Sequence, residues 1–404
     1  MAASTDVVVV GGGIAGAALA YALASGGVGV TILESSVEYH DRVRGETMVP
    51  WGVKEARELG VERILLDAGA HLAPIWTRYA GNSEPFDIPM SLMVPGVDGT
   101  LNLGHPGACQ ALVDAAAEAG AEVIRGVRDV KIALGDPVGV TWSTDPAHER
   151  RASLVVGADG RASVVRKQAG ITLRRQEPVN YISGLLVGGL EGVPDDHDVL
   201  ADQSDLSFLM FHQGAGRARV YLVSGLSGQH RFAGRDGARR FLESCAPDGY
   251  PWTPEVRLSA AVGPCATYPG DDTWTDEPYV DGTVLIGDAA GHNDPIIGQG
   301  LSIAMRDART VRDVVLQGGR RAADFAGYGQ ERAARMERLR LAADIFSVQI
   351  EDASNRRARR ELVQQKMAEM DPELFPLLIG VFSGPETIPA ELLRTDLLDQ
   401  IRAA

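Results

Sequence analysis

Three glycines near the start of the chain are the first residues whose spacing predicts chemistry. Gly11, Gly13 and Gly16 lie in the segment Gly11-Gly12-Gly13-Ile14-Ala15-Gly16, which satisfies the pattern GxGxxG. The first glycine permits a tight turn, the second lets backbone amides approach a pyrophosphate, and the third allows a helix to pack closely on a strand. The segment, including Ile14 and Ala15, predicts a dinucleotide-binding turn at a helix N-terminus.

The flanking segments have the order that such a turn requires. A strand is predicted over Asp6 to Val10, a helix from Ile14 to about Ser25, and a second strand over Val28 to Glu34. Glu34 follows Gly16 by 18 residues, where its carboxylate accepts hydrogen bonds from the ribose hydroxyls of an adenosine. A 2′-phosphate would be repelled there. The pattern therefore favours FAD or NAD over NADP.

Two later turns combine glycine with aspartate. Asp159-Gly160 follows the apolar segment Leu154 to Val156, and Gly287-Asp288 follows Thr283 to Ile286. Both apolar segments are predicted to be buried parallel strands. After the Gly287-Asp288 turn, four residues are suited to the start of a helix that faces a ligand: Pro295, Gly298, Gly300 and Leu301. The free N–H groups of such a helix start carry partial positive charge, which suits the N1 and C2 oxygen region of a reduced flavin.

With these three motifs in this order, the chain resembles the single-component FAD-dependent aromatic hydroxylases typified by p-hydroxybenzoate hydroxylase, over most of residues 5 to 345. The resemblance implies FAD rather than NAD as the ligand, because NAD-only enzymes need neither of the two later motifs. It also implies that Asp288 contacts the ribityl chain of FAD. Arg44, with Arg42 beside it, is expected to neutralise the pyrophosphate, and backbone groups of Val127 are expected to contact the adenine.

One position departs from the family pattern. At the start of the helix predicted from Gly107 to Ala119, the relatives have Arg or Gln on the flavin side of the cofactor, whereas this chain has His105. Imidazole reaches less far than either side chain and titrates near neutral pH. We therefore expect the flavin to be held less tightly, or to move differently, than in the relatives.

The resemblance and the order of elements together predict an α/β fold. It consists of a Rossmann-like FAD-binding domain, an inserted antiparallel β-sheet substrate domain and C-terminal helices. Alternating strands such as Gly184 to Gly189 and Ala218 to Ser224 indicate the insert. The predicted boundaries assign 1–75, 101–173 and 276–323 to the FAD-binding domain, 76–100 and 174–275 to the substrate domain, and 324–404 to the C-terminal helical region.

The function expected from the resemblance is monooxygenation. NAD(P)H reduces FAD, and one oxygen atom of O2 passes through a C4a-hydroperoxyflavin to an electron-rich, aromatic or polyketide-like small molecule. A partner flavin reductase is the alternative source of electrons. Two alternative activities are a carbon–carbon double-bond reductase similar to geranylgeranyl reductases and a flavin-dependent halogenase, although the halogenase signature WxWxIP is absent from the sequence.

The substrate is expected between the inserted sheet and the flavin, near Pro295 to Gly298. His292 and His212 are candidate polar residues of that wall, and with Pro295 they are the candidates for a part in catalysis. Three aromatic residues of the insert are expected either to line an apolar pocket or to belong to the core: Phe208, Phe211 and Tyr221.

The composition narrows the partners and the location. The 404 residues have a net charge of −15, so neither nucleic acid nor a membrane is an expected partner. Three separated cysteines and isolated histidines predict no metal site. No basic residue precedes the apolar run Val7 to Ala24, which favours a cytoplasmic protein. The sequence does not distinguish a monomer from a homodimer.

Two charged clusters have simple expected roles. The acidic residues Asp195, Asp196 and Asp198 are expected in an exposed loop. The basic cluster is expected to be a solvated helix face rather than a nucleic-acid patch, since the whole chain is acidic. It consists of Arg356, Arg357, Arg359 and Arg360.

Overall fold

The computed structural model describes residues 3–43, 45–79, 84–144, 147–203, 205–226, 232–247, 249–351 and 354–404. Its strands are β1 (Ala3–Val10), β2 (Val30–Glu34), β3 (Thr47–Met48), β4 (His71–Ala73), β5 (Ile75–Tyr79), β6 (Phe86–Pro89), β7 (Thr100–Asn102), β8 (Glu122–Arg125), β9 (Arg128–Ala133), β10 (Val138–Ser143), β11 (Ala147–Gly157), β12 (Arg174–Gly188), β13 (His197–Gln203), β14 (Leu206–His212), β15 (Ala218–Gly225), β16 (Ala260–Trp274), β17 (Tyr279–Val280) and β18 (Thr283–Leu285). Its α-helices are α1 (Ile14–Ser25), α2 (Pro50–Leu59), α3 (Glu62–Asp67), α4 (His105–Glu118), α5 (Val164–Gln168), α6 (Gly237–Ser244), α7 (Thr253–Leu258), α8 (Gly300–Leu316), α9 (Ala326–Glu351), α10 (Arg356–Ala368), α11 (Leu374–Ser383) and α12 (Leu397–Ala403).

The first sheet has the strand order β17-β18-β11-β1-β2-β8, with β10 and then β9 attached to β11 in antiparallel pairs. Strand β1 is parallel to both β11 and β2, and β18 is parallel to β11. Val7, Val8 and Val9 are fully buried, because a parallel sheet is covered on both faces and its strands need continuous apolar runs. The predicted βαβ unit is confirmed, with α1 at the predicted bounds.

The second sheet has the order β16-β12-β15-β14-β13-β5-β6. Its pairs are antiparallel except for β13 with β5, which is parallel. The expected antiparallel sheet is therefore correct for all but this one pair. Strands β5 and β6 of this sheet precede β8 to β11 of the first sheet in the chain, and β12 to β16 follow them. The domain boundaries assigned from the sequence stay a prediction.

The two faces of the second sheet bury different side chains. Phe211, Tyr221 and Val223 belong to the large core that the sheet shares with α1, α2, α8 and α9. Phe208 and Leu222 point to the other face and pack in a separate core with α6 and α7. Alternation along β14 and β15 produces this division. All three aromatic residues are therefore core residues, Phe208 in the separate core and Phe211 and Tyr221 in the large core on the flavin-domain side.

The C-terminal helices pack on the rest of the chain. Helix α10 shows that the expected solvated arginine face was wrong, because Arg356, Arg359 and Arg360 are buried and only Arg357 is exposed. Arg359 donates to the carbonyl oxygen of Val348 at 3.0 Å. The other two also bond to backbone carbonyls, so these guanidiniums fasten α10 to α9 and β14.

A small sheet of β3, β7 and β4 lies beside the second sheet. It corrects a second expectation, since Asp198 is fully buried rather than exposed, while Asp195 and Asp196 are exposed. The Asp198 carboxylate accepts hydrogen bonds from Thr100 Oγ1 at 2.8 Å and Asn102 Nδ2 at 2.7 Å of β7. Among the helices within the described residues, none combines the length and the apolar character needed to cross a bilayer.

Candidate functional site

The glycines of the first turn have two different roles. A Cβ atom on Gly11 would overlap the carbonyl group of Ala158, and one on Gly16 would overlap the carbonyl oxygen of Gly11. A Cβ on Gly13 would have no heavy atom within 4 Å. Gly13 is the N-cap of α1, and no side chain forms a hydrogen bond to this end of the helix. Gly11 and Gly16 are therefore required by packing, whereas Gly13 leaves room and free N–H groups for a ligand.

The three motifs come together at one edge of the first sheet. The N–H of Ala158, in the second motif, donates to Val10 at the end of β1, at 2.8 Å. The N–H of Ile286, before the third motif, donates to Gly157 at 3.0 Å. A Cβ on Gly287 would lie 3.2 Å from the Cβ of Ala15 in the first turn. Parallel strands end at the same edge, which explains this convergence.

Glu34 lies at the end of β2 with 7% of its surface exposed. Its Oε2 accepts from the N–H of Gly12 at 2.6 Å, and its Oε1 accepts from the N–H of Ser36 at 2.6 Å. The carboxylate is thus held beside the glycine turn. The N–H of Val127 donates to the carbonyl of Glu34 at 3.1 Å, so only the carbonyl group of Val127 is left for the expected adenine contact.

In the second motif, Asp159 accepts hydrogen bonds from the start of helix α5, whose N-cap is Ser163. Its carboxylate accepts from Ser163 Oγ at 2.5 Å and from the N–H of Val164 at 2.6 Å. Gly160 adopts a left-handed φ of 74°, which favours glycine. Arg166, which we did not assign from the sequence, donates to the carbonyl oxygen of Ala289 at 3.0 Å and so joins the second motif to the third.

A buried ion pair between Arg332 and Asp307 fixes the backbone of the third motif. Arg332 donates to the carbonyl oxygens of Ala290 at 3.0 Å and Gly291 at 2.8 Å. Its Nε also donates to Asp307 at 3.0 Å, and Asp307 accepts from the N–H of Gly287 at 2.8 Å. Asp288 itself is half-buried and lies 3.4 Å from Nε of Arg161. Its carboxylate has few protein partners and can contact a ligand.

The segment after the third motif forms an open edge. Pro295–Ile297 is a short 3₁₀-helix, and α8 then begins at Gly300 without a side-chain cap. Neither Gly298 nor Gly300 would bring a Cβ within 4 Å of another heavy atom. Leu301 is buried. Gln299 between the glycines is buried and accepts from Trp51 Nε1 at 2.9 Å, which fixes the turn on α2.

The comparisons with known proteins agree with this geometry. Residues 4–342 match the family model described as FAD binding domain. This chain belongs to that FAD-binding family. Squalene monooxygenase SE1 of Panax ginseng is 26% identical over 324 residues, 78% of this chain and 59% of the relative. Digeranylgeranylglycerophospholipid reductase 2 of Methanopyrus kandleri is 29% identical, over 77% of both chains.

Solved structures show the same fold at low identity. PqsL of P. aeruginosa, described as a probable FAD-dependent monooxygenase, has a TM-score of 0.74 at 20% identity, over 88% of this chain and 99% of that chain. The flavin-dependent brominase Bmp2 has a TM-score of 0.76 at 19% identity and full coverage of both chains. The predicted fold class of this FAD-binding chain is thereby confirmed. The chain spans about 60% of the length of the squalene monooxygenases that it matches.

The residues present fit FAD. A Cβ on any glycine of the cradle (Gly13, Gly298 and Gly300) would enter open space, and helices α1 and α8 begin beside these glycines with N–H groups that no side chain caps. Diphosphate and the reduced flavin edge are both negatively charged, so the helix ends match the ligand. The individual contacts of the site residues with FAD stay predictions.

Three other predicted contacts have less support in the geometry. Arg44 lies outside the described residues. Arg42 is exposed and lines a cleft of about 340 Å³ together with Ser35 and Arg128. His105 is the first residue of α4, and its Nδ1 lies 3.6 Å from the Sγ of Cys109.

The structure separates the two histidine candidates. His292 is close to the Pro295 turn, but its Nε2 is paired with Asp271 at 3.1 Å and its Nδ1 with Thr273 Oγ1 at 2.9 Å. Both ring nitrogens of His292 therefore have partners within the protein, and its part in catalysis stays a prediction. By strand alternation His212 points to the opposite face of the sheet, and burial lowers its pKa to about 4.

A buried ion pair joins the flavin-side loop to the second sheet, and sequence reasoning missed it. Arg219 of β15 is fully buried, with its Nε 2.7 Å and its Nη2 2.9 Å from the two carboxylate oxygens of Glu46. Its Nη2 also donates to Asp41 at 2.8 Å. Burial raises the pKa of Glu46. The sequence does hold one signal of this pair, because Arg219 alternates with the apolar residues Tyr221 and Val223 on one face of the predicted strand.

Proposed function

We propose that the chain is an FAD-dependent monooxygenase that transfers one oxygen atom of O2 to an uncharged, electron-rich organic molecule. The reaction converts the substrate, O2, NAD(P)H and one proton into the oxygenated product, NAD(P)+ and water. FAD, when bound, accepts the hydride and activates O2. The chain's residues bind the cofactor, position the substrate and exclude water.

The observation that carries this proposal is the open glycine edge beside the apolar face of the second sheet. Asn180 of β12 donates to Asp294, directly before Pro295, at 2.8 Å, which brings that sheet against the edge. The same sheet face carries Ile182, Phe211 and Tyr221. A substrate between the two would therefore contact aromatic and aliphatic side chains, as ligand sites of this kind require.

The charges of this region favour an uncharged substrate. The positive charge of Arg219 is neutralised by Glu46 and Asp41. A bound carboxylate would have to compete with this buried pair, and breaking such a pair costs several kcal/mol. The similarity to the squalene monooxygenases supports this proposal, since squalene is an uncharged hydrocarbon. A molecule with an electron-rich double bond or aromatic ring is therefore the proposed substrate class.

Reduction of a carbon–carbon double bond is the second candidate. It is favoured by one observation, the coverage of 77% of both chains by the digeranylgeranylglycerophospholipid reductase. The two activities differ in their use of O2. The oxygenase consumes one O2 for each substrate molecule, whereas the reductase turns over without it.

The test is an oxygen-uptake assay with the FAD-loaded protein, NADH or NADPH, and a panel of neutral polyenes and aromatic compounds. An external flavin reductase is added in a parallel series, so that both sources of electrons are covered. We expect substrate-dependent O2 consumption and an oxygenated product in which ¹⁸O from ¹⁸O2 is found by mass spectrometry. Product formed at an equal rate under argon would refute the oxygenase and support the reductase.

A further inference from the structure

Asp294 is a buried carboxylate without a cation beside it among the described residues. Only 7% of its surface is exposed. Its Oδ2 accepts from Asn180 Nδ2 at 2.8 Å and Ser347 Oγ at 3.1 Å, and its Oδ1 accepts from the N–H of Ile296 at 3.0 Å. All three donors are neutral. A carboxylate in such a place is stabilised less than one paired with arginine, so it holds a proton more readily.

The groups around Asp294 increase this tendency. Asp272 of β16 is 3% exposed, and Asp344 of α9 is partly buried. The guanidinium of Arg340 lies 3.4 Å from Asp272 and lines the same cavity as Asp294 and Asp344, and its ion pair is with Asp272. The charged and titratable groups that face Asp294 are Asp272 and Tyr268 on β16, Asp344 and Arg340 on α9, and Glu177 on β12.

A small cavity adjoins Asp294. Its volume is about 10 Å³, and its wall includes Asp294, Asp272, Asp344, Gln176 and Glu177. This is close to the space that one water molecule needs, and the polar wall supplies its partners. The side chain of Glu177 is 86% exposed. A water in the cavity can therefore pass a proton between solvent and the buried carboxyl groups.

The carboxyl group of Asp294 acts directly on the flavin-side turn. Asp294 is the N-cap of Pro295–Ile297, and its hydrogen bond to the N–H of Ile296 fixes the start of that turn. Gly298 and Gly300 follow at once. A change of charge on Asp294 alters the strength of this bond and its repulsion from Asp272, and so shifts the turn that carries the open glycines.

We propose that Asp294 exchanges a proton with solvent through the adjoining cavity and that its ionisation adjusts the Pro295–Gly300 turn against the bound flavin. No bond other than O–H is made or broken, and the proton moves between water and a carboxylate oxygen. Asp294 is thus a positioning residue. The inference extends the proposed function, because oxygenation consumes one proton in each turnover. Burial raises the pKa of Asp294 to about 6, within the range in which such an exchange operates.

The first test uses the protein without cofactor and measures thermal unfolding from pH 4 to 8 for wild type and Asp294→Asn. Because the pKa of Asp294 is raised in the folded state, its contribution to stability is complete below about pH 4 and is lost as the pH rises through about 6. The Tm of the variant relative to wild type should therefore increase between pH 4 and 6 and then stay constant. Asp236→Asn, at an exposed aspartate, is the matched control and should show no such change.

The second test records the absorbance spectrum of the bound flavin against pH. In the wild type we expect a spectral step with a midpoint near pH 6, and in Asp294→Asn we expect this step to be lost. Ser347→Ala is the second variant, in case Asp294→Asn does not fold. It removes a hydrogen bond to the anion, so it should move the midpoint to higher pH.

An unchanged spectral step in Asp294→Asn, or an unchanged midpoint in Ser347→Ala, would overturn the role at the flavin. A Tm difference that is independent of pH would overturn the proton exchange itself. The unfolding test requires neither flavin nor substrate, so it decides the proton exchange even if the oxygenase activity is not found. A spectral step without O2 uptake would separate a failure of the proposed function from a failure of this inference.

Discussion

Replacement of Gly13 by alanine separates a ligand-binding glycine from a structural one. Gly13 has φ −71° and ψ −175°, an extended conformation that alanine adopts without strain. A Cβ there meets no heavy atom within 4 Å. The protein without cofactor should therefore fold normally, because the gain of about 0.4–1 kcal/mol from restriction of the unfolded chain is offset by the poorer preference of alanine for the N-cap of α1.

The same methyl group occupies the space into which the pyrophosphate must enter. Loss of one charge-assisted hydrogen bond between the diphosphate and a backbone N–H costs about 1.5–3 kcal/mol. This corresponds to a weakening of FAD binding by about 10-fold to 150-fold. We therefore expect Gly13→Ala to raise the Kd for FAD and to leave the Tm of the apoprotein nearly unchanged.

The assay is a fluorescence titration of apoprotein with FAD, with thermal unfolding measured on the same samples. Gly327→Ala is the matched control, because a Cβ at this exposed α9 position also meets no heavy atom within 4 Å. It should keep full FAD affinity. Gly16→Ala should lower stability and affinity together, since its Cβ overlaps the carbonyl oxygen of Gly11. Equal FAD affinity in Gly13→Ala and wild type would refute the assignment of the open space to the diphosphate.

Further predictions concern four single side chains. Asp288→Ala should weaken FAD binding at least about 10-fold without lowering the apoprotein Tm, because Asp288 has one weak ion pair and is half-buried. Arg219→Met leaves Glu46 buried without its cation and should cost about 3–5 kcal/mol in urea unfolding. Burial raises the pKa of Asp198 to about 7 and lowers that of His212 to about 4. The contribution of Asp198 to stability should therefore be lost as the pH rises from about 4 to 7. The contribution of His212 should be lost as the pH decreases from about 6.5 to 4. In pH-dependent unfolding, Asp198→Asn should remove the first of these slopes and His212→Gln the second.

Each of these has a result that would contradict it. Full FAD affinity in Asp288→Ala would exclude the ribityl contact. A loss below about 1 kcal/mol in Arg219→Met would mean that Glu46 takes up a proton at little cost. Unaltered pH slopes in the Asp198 and His212 variants would show that other groups titrate in that range.

The local parts of the site could be predicted from the sequence because their signals lie within a few residues of each other. The turn from Gly11 to Gly16 needs only the glycine spacing and the adjacent strand and helix patterns, and α1 has the predicted bounds. The later strands were also predicted from short apolar runs followed by a Gly/Asp turn. Their convergence follows from parallel pairing in one sheet, which depends on the fold class.

The side chains that hold these turns could not be predicted, because their partners are distant in the sequence. Arg219 meets Glu46 across 173 positions, and the pairing depends on how two domains meet. Asp307 gave a local signal, since it lies between Ile303 and Val311 on a buried stripe of α8. A carboxylate on an apolar stripe requires buried polar partners, but the sequence does not show that these include Arg332.

The arginines of α10 show a related limit. A run of guanidinium groups in an acidic chain predicts exposure if charge alone is considered. In the structure, Arg359 and Arg360 instead donate to main-chain carbonyls at the ends of other elements. Such carbonyls need donors when they are buried, and no sequence pattern records that need. The same reason explains why Arg166 and Arg332 were not assigned.

The guanidinium contacts also explain how a cradle made of glycines can keep its shape. A turn without side chains has nothing of its own to pack, so its conformation must be fixed from outside. Here Arg332 donates hydrogen bonds to two carbonyl oxygens of the third motif, and Arg166 donates one to the carbonyl oxygen of Ala289 in the same motif. The turn between Gly298 and Gly300 is fixed in its turn by Gln299, which accepts a hydrogen bond from Trp51. The N–H groups at the open edge therefore have a fixed conformation before FAD binds. The conformational entropy of this segment is lost on folding and does not weaken the binding of FAD.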